Sequence, residues 1–373
     1  MLISNRAIQL FLVFVVTLVL FSLQQPVLFI VAVFFLLVVN INGFINFRLS
    51  RMYIFWALFL TLLILPSFFD LAHGFSSLFY FFGTIVCLLS AKYTAERYSL
   101  HDIYAAVRLL FVCFTLVLSF FLHKYWGLKE PFGQIIDGSS TNGFPSYFIL
   151  VQVLLSSVSY LLFGRVSLLF AAITFGVAFF GNGRGSLVVA IAIIAFSAYV
   201  NIFLSANSRG SFRRFWAVVF SVALAITFSL VLSYFWTDLV TLTKLSVGLA
   251  DANRIEIISQ YLGNLDGLGV ILGGSYSGTV IATEYQGNPH ISLIRAHYLF
   301  GLVPTLAYMV SPAVIIFLVK DKKAKFVLFG YLGLVWLRVL SEPILFPTVM
   351  DYFYFLIFFI GRRYAGESYK YSS

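Results

Sequence analysis

One long polar stretch of this 373-residue chain, residues 237–297, collects the ionisable side chains Asp238, Lys244, Asp251, Arg254, Glu256, Asp266, Glu284, His290, Arg295 and His297. Guanidinium groups bind phosphates and carboxylates through paired N–H donors, and a neutral imidazole can take a proton from a hydroxyl. In Arg254-Ile255-Glu256 the Arg and Glu are two apart and do not face each other along a helix, which leaves Arg254 to a ligand or to solvent. The stretch closes on Asn288-Pro289-His290-Ile291-Ser292-Leu293-Ile294-Arg295-Ala296-His297. Read as helix, it puts His290, Ile294 and His297 on one face, with Arg295 about 100 degrees from Ile294. Pro289 suits a first helical turn, and a helix start favours the neutral form of His290. His290 is therefore the candidate general base, whereas ordinary hydrogen bonding is expected of His297.

A second candidate is Asn182-Gly183-Arg184-Gly185-Ser186, which has a near-copy in Asn207-Ser208-Arg209-Gly210-Ser211. Arg184 stands between glycines just before an apolar run, and helix-start amides plus a guanidinium make an anion site. Arg209 sits beside Arg213 and Arg214 and reads instead as an orientation determinant. Arg338 and Glu342, at i and i+4, either pair with each other or line the same cavity as His297. The glycine-rich run from Gly267 to Gly278 lacks the Gly-Lys-Ser/Thr of a nucleotide loop. No His or acidic cluster has metal-ligand spacing and no Gly-x-Ser-x-Gly elbow is present, so neither a metal nor another cofactor is expected.

The elements that position these groups must do so in hydrocarbon. The chain is 61% hydrophobic and 10% charged, whereas ordinary soluble domains carry about 25% charged residues. Apolar runs recur along its length, the pattern of an all-α polytopic membrane protein. Continuous runs exclude an outer-membrane barrel, whose strands alternate. The net charge of +10 is scattered between apolar runs and does not form a nucleic-acid surface. About twelve transmembrane helices are expected, over residues 7–23, 27–46, 52–69, 75–91, 103–122, 144–163, 166–181, 186–204, 216–236, 298–319, 326–341 and 347–361. An even count leaves both termini on one side. On that side basic residues exceed acidic ones roughly fourfold, while acidic residues prevail on the other, so the termini are expected to be cytoplasmic. The chain is then one integral membrane domain, 1–373, with 237–297 as a large outer loop between spans nine and ten. Ile255, Ile257, Ile258 and Leu262 sit at near-helical spacing, which predicts helices lying over the outer mouth of the bundle. Cys87 and Cys113 fall inside apolar runs and provide no disulfide scaffold. Arg6 and the run to Leu23 lack a small-residue cleavage site, which predicts an uncleaved first span.

Gly183-Arg184-Gly185 before a span, Arg254 early in the loop, Leu272-Gly273-Gly274, and then Asn288-Pro289-His290 with Tyr298-Leu299-Phe300-Gly301-Leu302 follow one another in a telling order. The order is similar to the arginine–glycine turn, loop arginine and loop-closing histidine segment of the O-antigen polymerase and ligase superfamily of bacterial inner membranes. The chain resembles that family over its C-terminal half by motif, and over its whole length by span count and size. Ile291 stands where the ligases have Asn after the histidine, so the resemblance favours a polymerase; the arginine-x15-glycine repeats of some polymerases are not found. It implies transfer of a growing glycan from undecaprenyl diphosphate to a lipid-linked repeat unit at the periplasmic face. By the same resemblance Arg184 and Arg254 hold the diphosphate, Arg295 supports them, and His290 serves the acceptor hydroxyl. The implied partners are the undecaprenyl-diphosphate-linked oligosaccharide, membrane lipid, a chain-length regulator and a flippase, with no nucleic acid. The alternatives are a ligase acting on lipid A–core and, in another class, a polysaccharide flippase. Against the flippase, the polar residues cluster on one face and no halves repeat.

Overall fold

The computed structural model describes residues 3–23, 26–45, 76–128, 131–136, 143–181, 183–204 and 252–370. Among them every regular element is a helix. In chain order these are α1 (Asn5–Ser22), α2 (Pro26–Val39), α3 (Ile41–Ile45), α4 (Ser76–Arg97), α5 (Leu100–Lys124), α6 (Gly143–Phe163), α7 (Leu168–Phe180) and α8 (Arg184–Tyr199), which runs on through a π turn to Leu204. Then follow α9 (Ala252–Gly263), α10 (Gly267–Leu272), α11 (Val280–Thr283), α12 (Ser292–Phe300), α13 (Leu302–Leu318), α14 (Lys322–Val339) and α15 (Asp351–Lys370). The spans expected at 52–69 and 216–236 lie outside the described residues, as do Arg209, Arg213, Arg214 and loop residues 237–251.

Five of the helices, α1, α4, α5, α6 and α8 with its π turn, are long and apolar enough to cross a membrane. The chain therefore has the character of a multi-pass helical membrane protein. Local chemistry starts several of these helices. Ser4 accepts from the Ala7 amide at 3.0 Å, Ser99 and Asp102 form a reciprocal capping box, and Asp321 accepts from the Ala324 amide at 2.6 Å.

Burial separates the helices where hydrophobicity does not. In α6, 89% of the apolar window is buried, against 33% to 44% in the other four long helices. It is the axis of the bundle, packed by α5, α7, α8, α14 and α15, and an apolar helix enclosed on all sides belongs there. Its polar residues Ser146, Gln152, Ser156 and Ser157 are buried with it.

Residues 252–300 form four short helices with a small core of their own, made by Ile257, Tyr261, Tyr276, Ile281, Ile291 and Ile294. Tyr276 stacks on Tyr298 at 3.9 Å between ring centroids. Where a tenth span is expected from residue 298, α12 ends at Phe300 and α13 begins at Leu302. Gly301 adopts a φ of +76°, and a Cβ there would collide with the Ile271 carbonyl oxygen. A left-handed glycine ends one helix and starts another at an angle, which a continuous apolar run does not announce.

Candidate functional site

The C-terminal ends of α1 and α14 and the N-terminal ends of α2, α4, α6, α8 and α15 meet at the end of the bundle that carries residues 252–300. Two arginine-centred sites are built there. The first surrounds Arg338, which is 1% exposed. Its Nε and Nη2 donate to Ser146 Oγ at 3.2 and 2.8 Å, and its Nη1 donates to Ser341 Oγ at 2.9 Å. Nη2 also lies 3.4 Å from Glu342 Oε1, the same oxygen that accepts from Arg254 Nη2 at 2.9 Å. One carboxylate thus bridges a guanidinium of the bundle and one of α9. The partner of Arg254 thus lies not along its own helix but across 88 residues of chain. Ser292, the first residue of α12, donates to the Glu342 carbonyl at 2.7 Å and ties a second loop element to the same turn.

Arg184 is the first residue of α8, half-buried, after Gly183 at the cap position with no side-chain cap. The next residue explains the local glycine: a Cβ on Gly185 would collide with the Arg338 guanidinium. Ser186 follows, its hydroxyl 3.4 Å from that of Ser146. The arginine–glycine turn therefore abuts the Arg338 cluster.

The second site is a cavity of about 220 Å³ beside it. Leu20, Phe21, Phe29, Pro347 and Val349 give it an apolar wall, and Tyr80, Tyr147, Asn288, Thr348 and Arg295 supply the polar groups. Arg295 reaches it from α12. Its Nη2 donates to the Pro343 and Leu345 carbonyls at 2.8 and 3.1 Å, while its buried Nε has no hydrogen-bond partner. Burial pushes its pKa down, an effect opposed by Tyr80 and Asp351, and a guanidinium starts so high that it stays charged. Buried Asp351 is held by the amides of Phe346 and Thr348 at 2.9 and 3.1 Å.

The two histidines part company. His297 has both ring nitrogens engaged, Nε2 with the Val270 carbonyl at 2.9 Å and Nδ1 with the Tyr261 hydroxyl at 2.7 Å. A carbonyl only accepts, so Nε2 carries the proton and Nδ1 accepts from Tyr261. Burial raises the Tyr261 pKa and keeps that hydroxyl a donor. His297 thus fastens α10 to α9 and α12. His290 does not share a helix face with it, because α12 starts only at Ser292. His290 has a φ of +54°, its amide donates to Asn288 Oδ1 at 3.1 Å, and its ring meets Tyr285 edge-on at 5.0 Å. The Asn288 side chain offers the backbone a turn in place of a helical hydrogen bond.

Of the residues singled out by sequence, Arg254, Arg338 and Glu342 come together, Arg295 lines the cavity, and His297 and His290 stand outside it. Sequence reasoning missed Ser146, Tyr80, Tyr147, Asn288 and Thr348. A serine inside an apolar run, as Ser146 is, was the available signal. Among the described residues no group of His, Cys, Asp and Glu could hold a metal ion. No family model, curated protein or solved structure matches the chain.

Proposed function

We propose that the chain is a surface-polysaccharide polymerase of the O-antigen type. It would lie in a bacterial inner membrane on about twelve spans, with both termini cytoplasmic and residues 237–297 in the periplasm. The observation that carries this reading is the Arg295 cavity. A guanidinium lines a space that has an apolar wall of Leu20, Phe21 and Phe29 beside polar Tyr80, Tyr147, Asn288 and Thr348, at one end of an apolar bundle. That combination suits a ligand that is anionic at one end and hydrocarbon at the other, such as a polyprenyl diphosphate bearing a glycan.

The chemistry asked of the site is modest. The acceptor hydroxyl attacks the anomeric carbon of the donor glycan, the carbon–oxygen bond to the diphosphate breaks, and the hydroxyl proton passes to a base. Arg295 stabilises the charge that develops on the leaving diphosphate, with Arg254 and Arg184 at the neighbouring rim. In this reading the base is His290, on the turn between cavity-lining Asn288 and α12. Pure protein in liposomes, given undecaprenyl-diphosphate-linked repeat units alone, should form a ladder of polymer lengths, and His290→Ala should abolish it. Transfer that requires lipid A–core identifies a ligase instead. Movement of the lipid-linked unit without bond formation identifies a transporter.

A further inference from the structure

We propose that α10 is a lipid-immersed foot, which fastens the 252–300 region to the membrane surface through the boundary between headgroups and acyl chains. The proposal rests on the membrane character of the helices and is independent of the polymerase reading.

The helix Gly267–Leu272 carries no charged residue, yet it presents Leu268 at 68% and Ile271 at 53% exposure, with Val270 also exposed. This is not the looseness of a free loop. Asp266 caps the helix through the Gly269 amide, and the Val270 carbonyl takes a hydrogen bond from His297 at 2.9 Å. Gly273 and Gly301 interlock the two chain segments so closely that a Cβ at either would strike the other segment's backbone carbonyls. A rigidly seated helix that holds its large apolar side chains outward needs an apolar solvent for them.

Position says which solvent. The helix sits on the start of α13, and along α13 the outward residues Leu306, Met309, Val310, Val314 and Phe317 form an exposed apolar row of the kind that faces lipid. No charged residue lies between Leu302 and Leu318, and α10 packs against this helix. Elsewhere in the region the loops expose polar residues, including Asn264, Ser277, Glu284 and Gln286, while α9 exposes Ile255, Ile258 and Leu262 as well. The foot would set the depth of α12, and with it of Arg295, relative to the bilayer surface.

The test places single cysteines at 268, 271 and, as a polar reference, 277, in full-length protein carrying Cys87→Ala and Cys113→Ala. Each is labelled with a nitroxide in liposomes of phosphatidylethanolamine and phosphatidylglycerol. Labels at 268 and 271 should collide readily with lipid-soluble oxygen and poorly with a water-soluble nickel chelate, the reverse of 277. Nickel accessibility equal to that at 277 overturns the proposal, because it puts the helix in water. Protection from both reagents also overturns it, because protein then covers the face, either another segment of this chain or a second copy.

Discussion

Two arginines on different helices, buried Arg338 and half-buried Arg295, stand at the same end of the bundle and serve different ends. Every nitrogen of Arg338 has a partner among two serines and Glu342, and Gly185 makes room for it. Arg295 is held by two backbone carbonyls, its buried Nε has no hydrogen-bond partner, and the residue lines a cavity. A buried charge with a partner at every nitrogen is a structural joint, while one that lines a cavity is open to a ligand. The difference lies in partners alone, since the two side chains are chemically identical.

That contrast can be broken or sharpened by substitution. The largest effect is expected at Glu342→Ala, which strands Arg338 without its counter-charge and releases Arg254. A loss of about 3–5 kcal/mol is expected for breaking such a buried pair, read by thermal unfolding in detergent. An unchanged midpoint would remove Arg338 from the class of structural joints. Next comes Arg295→Ala, where polymer formation should fall by roughly 100- to 1,000-fold, as on losing one donor that stabilises a leaving anion. If polymer still forms at the parent rate, the cavity is not the reaction site. Gly185→Ala should cost about 1–3 kcal/mol by pressing a methyl group against Arg338. Paired with a small-to-large change at the cavity wall, it asks whether the joint tolerates crowding less than the cavity does. Tyr261→Phe is the mildest: it removes the bond to His297 and should cost about 0.5–1.5 kcal/mol in unfolding, with polymer lengths unchanged. A shift in the length distribution would give His297 more than a fastening role.

How far these assignments were legible in the sequence depends on the residue. The concentration of charge in 237–297, and the adjacency of Arg184 and Gly185, could be read from residue types alone. The i, i+4 spacing of Arg338 and Glu342 allowed their contact, yet nothing in it foretold that Glu342 also takes Arg254 from α9. His290 was misplaced on a helix face because the periodic reading passed over Asn288, whose side chain captures the His290 amide. The same reading carried the tenth span through Gly301, where the backbone turns into the left-handed region.

The sequence by itself determined the solvent, the helical class and the zone where ionisable groups concentrate, because apolar runs of membrane-crossing length and stretches of charge are local properties of the chain. Only the tertiary structure decided which apolar helix is the buried axis and which arginine keeps a donor to spare. In hydrocarbon an inward face and a lipid-facing one are equally apolar, so composition cannot tell α6 from α5. Hydrogen-bond saturation is likewise a property of neighbours brought from distant parts of the chain, and for Arg338 and Arg295 those neighbours are Ser146, Gly185 and an aromatic cavity.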